Sequence, residues 1–173
     1  MPSLKSILVH HDEQLTKALN IRLNHQGLYP WINRLTRTMD PLPSMVITTV
    51  LMAYLFVSSN WLTGYRFIGL YFTTEAIIHF LKATFSRRRP FRVLHQLVFE
   101  VPIPKDPHSF PSGHTGSAVV IALVLGWLFP AYTLVFSLYP LLIGFSRIYL
   151  GYHYPSDVLV GGVIPLVLAG LFS

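Results

Sequence analysis

The 173-residue sequence contains no cysteine. Disulfide staples, thiol nucleophiles and thiolate-bound zinc are therefore excluded. Charge is scarce as well. Only 12% of the residues are Asp, Glu, Lys or Arg, against roughly 25% in an average soluble domain. The scarcity is organised. Positions 41–65, 107–146 and 158–173 hold none of these four residue types. A charge-free apolar stretch longer than about 18 residues reads as a membrane span. With a mean hydropathy of +0.50, this excludes an ordinary soluble domain, a disordered tail and a disulfide scaffold. The length allows one domain. The opening stretch MPSLKSILVHHDEQ has Lys5 but no sustained apolar core, so it is not a cleavable signal peptide.

What is present is an all-α pattern. The expectation is an integral membrane helical bundle with about five transmembrane helices, each near the 20-residue requirement. An amphipathic interfacial segment, residues 1–42, precedes the membrane domain, residues 43–173. In the first segment Leu4, Ile7, Leu8, Leu15, Ala18 and Leu19 recur at helical spacing, with Lys5, Asp12, Glu13, Lys17 and Arg22 between them. Tyr29 and Trp31 suit a membrane–water interface. A soluble helical hairpin packed on the membrane domain is the alternative. The spans are expected over 43–59, 67–85, 113–130, 131–149 and from 155 onward. Pro140 marks a kink in the fourth and Pro165 falls inside the fifth.

Alternation of these spans brings several polar ends to one membrane face. That face collects Lys82, Arg87, Arg88, Arg89, Arg92, His114, Arg147, His153 and Asp157. From position 113 onward, Arg147 and Asp157 are the only residues among Asp, Glu, Lys and Arg. Ionisable residues at membrane depth are costly, so they imply a site or a partner. The net charge of +6 fits anionic headgroups or a phosphate-bearing substrate. It does not fit nucleic acid, because the basic residues flank apolar spans.

Three segments carry chemistry. Lys82 to Pro90 sets a Lys and several Arg at the end of a span. Arginine forks grip phosphate oxygens bidentately and lysine adds a compact charge. A positive flank that merely fixes topology is the plainer reading. Pro111-Ser112-Gly113-His114 opens a helix. Ser112 stands at the N-cap, Gly113 admits an oxyanion to the backbone, and His114 can give a proton to a leaving oxygen. The plainer reading is a helix cap beside an interfacial histidine. Ser146-Arg147 is followed by His153 and, four residues on, Asp157. A carboxylate on one imidazole nitrogen frees the other to attack. A structural His–Asp pair is the alternative. Together they form a kit for phosphoryl transfer that draws its charge from Lys and Arg, with no metal and no cofactor.

The set resembles the type 2 phosphatidic acid phosphatase family. Its three motif parts are met in order and spacing by Lys82 with Arg89-Pro90, by Pro111 to His114, and by Ser146-Arg147 with His153 and Asp157. The resemblance covers residues 82–157. It implies a multi-span bundle and a phosphohistidine mechanism. By it, His153 attacks phosphorus, Asp157 orients His153, His114 protonates the leaving oxygen, and water then cleaves the phosphoenzyme. Lys82, Arg89, Arg147, Ser112 and the Gly113 backbone hold the phosphate oxygens. The family also includes soluble vanadium-dependent haloperoxidases, a branch the spans and short length argue against. Many membrane members have six spans. Here the surface segment stands where the first would be.

Outside the motifs, Glu75, His79 and Lys82 share one face of the second span. Glu75 and His79 are expected to pair inside the bundle and to set the pocket floor or tune Lys82. The alternative is a pair that only resolves its own desolvation. A Glu–His metal site lacks a further ligand. Of the ten Lys and Arg outside the motifs, nine (Lys5, Lys17, Arg22, Arg34, Arg37, Arg87, Arg88, Arg92 and Lys105) lie on the active face and Arg66 on the other. This count directs the active face to the cytoplasm. The family resemblance directs it outward, and an outward (periplasmic) face of a bacterial inner membrane is the expectation adopted. The expected activity is hydrolysis of a lipid phosphomonoester or pyrophosphate. Candidate substrates are phosphatidate, phosphatidylglycerophosphate, undecaprenyl pyrophosphate and a lipid A phosphate. Transfer to a second lipid is the alternative, and a non-catalytic lipid-binding protein is the third reading.

Overall fold

The computed structural model describes residues 4–23, 27–98, 102–104 and 106–172. The Lys5 side chain and Lys105, both used in the charge count, lie outside the described residues. All regular elements among the described residues are helical. They are α1 (Leu4–Arg22), α2 (Tyr29–Arg37), α3 (Pro41–Val57), α4 (Trp61–Phe85), the single turn α5 (Pro90–Val93), α6 (Gly113–Leu128), a 3₁₀ turn (Pro130–Tyr132), α7 (Thr133–Tyr149) and α8 (Pro155–Phe172). Prolines open α3, α5 and α8, where a missing N–H costs no hydrogen bond. Ser86, in left-handed conformation at φ 44°, ends α4 by closing its N–H on the Lys82 carbonyl.

Among the described residues, two segments are long and apolar enough to cross a bilayer: Pro130–Tyr149 and Pro155–Phe172. α2 and α3 together qualify as a third, bent by 52° between them. The other two expected spans differ for physical reasons. α4 has 25 residues, ample length, but carries Arg66, Glu75 and Lys82. α6 is apolar but has 16 residues, because the chain leaves the helix at Phe129, just before Pro130.

α6 is the central rod. Ten of its 16 residues are buried, and α4, α7 and α8 pack around it. Leu55, Phe67, Leu70, Val120 and Val124 form one apolar cluster between α3, α4 and α6. Met39, Ala118, Ile121 and Ile143 form another where the α2–α3 bend meets α6 and α7. The outer faces of α7 and α8 expose Leu134, Leu141, Leu159 and Leu171. Apolar surface of that extent is stable against lipid rather than water.

α1 inverts the usual pattern. Its buried side is polar, with Asp12, Thr16 and Asn20 at successive turns, while Leu8, Leu15 and Ile21 face outward. Asn20 donates to the Tyr149 carbonyl at 2.7 Å and exchanges hydrogen bonds with the Val98 backbone. α1 thereby packs on α7 and α8, and α2 packs on α7.

Gly161 decides how closely α8 meets the start of α6. A Cβ there would lie well inside van der Waals contact with the Ser112 carbonyl oxygen. That contact is with backbone, which cannot rotate away. Gly161→Val should therefore lower the melting temperature in detergent by the equivalent of at least the usual overpacking cost of about 1–3 kcal/mol. It should also depress activity, since Ser112 caps the helix that begins with Gly113 and His114.

Candidate active site

The polar ends of α4, α6 and α7, the loop before α8 and the α2–α3 bend enclose a cavity of about 860 Å³. Lys82, Arg89, Gly113, His114, Arg147 and His153 all line it. Six residues expected from three distant segments are thus brought together. Glu75 and His79 also line its wall. Ser112 and Asp157 do not; each is fully buried behind it.

His153 sits in the turn between α7 and α8, 1% exposed. Its Nδ1 lies 2.6 Å from the Ser109 carbonyl oxygen, and its Nε2 lies 3.3 Å from Arg89 Nη1. A carbonyl only accepts and a guanidinium only donates. The two neighbours therefore fix the tautomer, with the proton on Nδ1 and a lone pair on Nε2. Burial, then the charges of Arg89, Arg147 and Lys82, hold the imidazole well below its usual 6.5. Asp157 was expected to grip Nδ1 directly. Instead its Oδ2 stands 3.8 Å away and accepts from the Tyr154 N–H at 2.8 Å. The close partner is the Ser109 carbonyl, which no side-chain pattern can announce.

The cations are held in place from outside the motifs. Arg147 is 3% exposed. It donates to Thr36 Oγ1 at 3.0 Å and stacks its guanidinium 4.0 Å from the Tyr152 ring centroid. Its Nε has no hydrogen-bond partner among the described residues, so a donor is left for an anion in the cavity. Arg89 donates to the Asp106 and Tyr152 carbonyls at 3.0 and 3.3 Å. Lys82 donates to Asp106 Oδ2 and to the His108 carbonyl, and Asp106 Oδ2 lies 3.6 Å from Arg89 Nη2. Asp106 thus occupies two of the three cations assigned to phosphate. Burial raises its carboxyl, but the Lys82 ammonium and the His108 N–H more than offset that and hold it below 3.8.

His114 turns its Nε2 to Asp40 Oδ1 at 3.1 Å. Asp40 was not expected. It heads α3, and the bond from His114 holds its carboxyl below 3.8 against burial. Ser112 corrects an expectation. Its hydroxyl caps α6 toward the Thr115 N–H and pairs with the Thr115 hydroxyl at 2.9 Å, facing away from the cavity. Gly113, not the Ser112 side chain, meets the open space. Glu75 and His79 do approach each other along α4, but the pair is not enclosed. The rings and carboxyl stand 3.9 Å apart and the His79 side chain is 76% exposed. Glu75 instead accepts from Ser117 Oγ at 2.7 Å. The helix spacing was read properly, but the His79 side chain is left largely exposed among the described residues.

With this geometry in view, comparison with known proteins is direct. The sequence pattern of the PAP2 superfamily matches residues 63–173. The chain belongs to this superfamily. A lipid A 1-phosphatase of Rhizobium etli is 32% identical over 118 residues, 66% of this chain and 48% of that protein. The undecaprenyl-diphosphatase BcrC of Bacillus subtilis is 29% identical over 150 residues, 78% of this chain and 73% of its own. The crystal structure of Aquifex aeolicus LpxE superposes with a TM-score of 0.79 at 26% identity, covering 92% of each chain. The chain spans about half the length of the Rhizobium relatives it matches. Lys82, Arg89, Gly113, His114, Arg147 and His153 lie within the matched region, whereas the α2–α3 side of the cavity lies before it.

Two outcomes follow for the site. His153 is neutral in the fold, whereas an unfolded imidazole protonates as pH falls past about 6.5. Its stabilising contribution is complete above that pH and is lost as pH falls toward the folded value. Melting curves in detergent between pH 7 and 5 should slope less steeply in His153→Asn than in the parent. Asp106 competes with any phosphate for Lys82 and Arg89. Asp106→Asn should tighten inhibition by inorganic phosphate several-fold, on the order of 1 kcal/mol; unchanged inhibition would remove Asp106 from the phosphate site.

Proposed function

We propose that this chain is a membrane-embedded phosphatase releasing phosphate from a lipid phosphomonoester or pyrophosphate through a phosphohistidine. The observation that carries this reading is the His153 Nε2 lone pair, held at the cavity floor beside Arg89. Nε2 attacks phosphorus. Lys82, Arg89, Arg147 and the Gly113 backbone stabilise the charge gathering on the phosphoryl oxygens, which is the main demand of phosphoryl transfer. His114, oriented by Asp40, gives a proton to the departing lipid oxygen. Water, giving a proton back to His114, then attacks phosphorus and breaks the phosphorus–nitrogen bond, which releases phosphate and restores neutral His153. Because three cations supply the electrostatic stabilisation, no metal ion is required.

Five crossings complete the membrane arrangement, with α4 and α6 joining the apolar segments. Shielding of Glu75 against Ser117, and placement of Lys82 and Arg66 near opposite ends of α4, support this count. α1 and α2 lie at the interface with the apolar side of α1 in lipid. The site faces outward from a bacterial inner membrane. The active end and the far end of α8 are at opposite ends of the bundle, so a reporter fused after residue 173 should be active in the cytoplasm.

The decisive experiment is phosphate release from a panel of lipid phosphates by purified protein in detergent with excess EDTA. Release should persist in EDTA, vanish in His153→Ala, and fall by at least about a hundredfold in His114→Ala. Full activity in His153→Ala would overturn the mechanism. Release only when a second lipid accepts the phosphoryl group would make the enzyme a transferase. The panel includes phosphatidate, phosphatidylglycerophosphate, undecaprenyl pyrophosphate and lipid A, and the headgroup hydrolysed fastest identifies the substrate.

A further inference from the structure

Arg87 was expected among the residues facing phosphate or fixing topology. It does neither. Its guanidinium stacks 3.9 Å from the Tyr154 ring centroid and points behind the site. Nη1 donates to Asp157 Oδ1 and to Ser156 Oγ, each at 2.8 Å. Nη2 donates to Asp12 Oδ2, also at 2.8 Å. Asp12 comes from α1, far away in sequence. Its Oδ1 accepts from the Ser156 N–H at 3.0 Å, and the Ser156 hydroxyl donates to Oδ2. Asp12 is 7% exposed and Asp157 fully buried.

We propose that Asp12 is a positioning residue for His153, acting through Arg87, Ser156 and Asp157. The inference rests on His153 being the nucleophile. Charge counting gives the reason. Arg87 and Asp157 alone would form a neutral pair behind the imidazole. Asp12 shares Arg87, so the triad carries a net single negative charge. When Nε2 bonds to phosphorus, the ring acquires a positive charge next to Arg89, Arg147 and Lys82. The group's inner member, the Asp157 carboxylate, stands 3.8 Å from Nδ1, and the net negative charge that Asp12 leaves on the group opposes that accumulation where water is excluded. Asp12 also anchors the first turn of α8, and with it the register of the His153 turn. An N-terminal helix that touches no substrate thereby contributes to the chemical step.

A simple tether would predict something different, and α1 offers the control. Asn20 fastens the same helix to Tyr149 and Val98 without touching the triad. Asp12→Asn and Asn20→Ala should both lower the melting temperature. Asp12→Asn should lower kcat on the order of tenfold with KM within about twofold, and should slow formation of the alkali-trapped phosphoenzyme. Asn20→Ala should keep kcat within about twofold. Asp12→Glu, which keeps the charge and disturbs only the fit, should retain most of the turnover. Equal kcat losses in Asp12→Asn and Asn20→Ala would reduce α1 to a tether. Parental kcat in Asp12→Asn, or a kcat lost in Asp12→Glu, would likewise overturn the proposal. His153→Ala measured alongside separates this outcome from failure of the nucleophile assignment, since only that failure leaves His153→Ala active.

Discussion

Three cations held out of water at one end of a helical bundle set the terms for everything around them. A buried charge without partners is untenable, and each of these has acquired partners from a different element. Arg147 is satisfied by Thr36 of α2 and the Tyr152 ring. Arg89 leans on the Asp106 and Tyr152 carbonyls. Lys82 turns to Asp106 and the His108 carbonyl. The loop before α6 and the helices before α3 are therefore part of the site, although they carry no motif. Burial, and then the same positive field, hold His153 neutral, the state in which its Nε2 can attack.

Acidic residues on the periphery balance this field. Asp40, Asp106 and the Asp12–Asp157 pair each hold a site residue or its neighbour. They account for four of the seven acidic residues in the chain. Scarce carboxylates are thus concentrated where cations must be desolvated. The remaining bundle needs few of them, since its outer surface is apolar and its helices satisfy their own backbone groups. α1 follows the same logic in reverse, turning its polar side inward to the site and its apolar side outward.

The helical class, the apolar rods and the motif residues were legible from one sequence. Proline and serine at helix starts, the charge-free stretches and the spacing around His114 and His153 are local signals. Ser112 shows the limit of that reading. Its N-cap position was legible, but the direction of its hydroxyl depends on Thr115 one turn later. His79 shows another. Its helical register with Glu75 was clear, yet its exposure depends on how the other elements pack around α4. Arg87 looked like one cation in a run of three, and only the approach of α1 and α8 gives it two carboxylates.

By itself the amino-acid order determined a helical, lipid-facing chain and the chemical types gathered at one end of it. Those follow from hydropathy, helix periodicity and the requirement that consecutive rods alternate direction. Only the tertiary structure decided which atoms meet: Nδ1 of His153 on the Ser109 carbonyl, Asp40 on His114, Asp12 on Arg87. Hydrogen bonds are settled within tenths of an ångström. Such distances arise from packing between residues more than forty positions apart, aided by Gly161 at the α6–α8 crossing, and no local pattern encodes them.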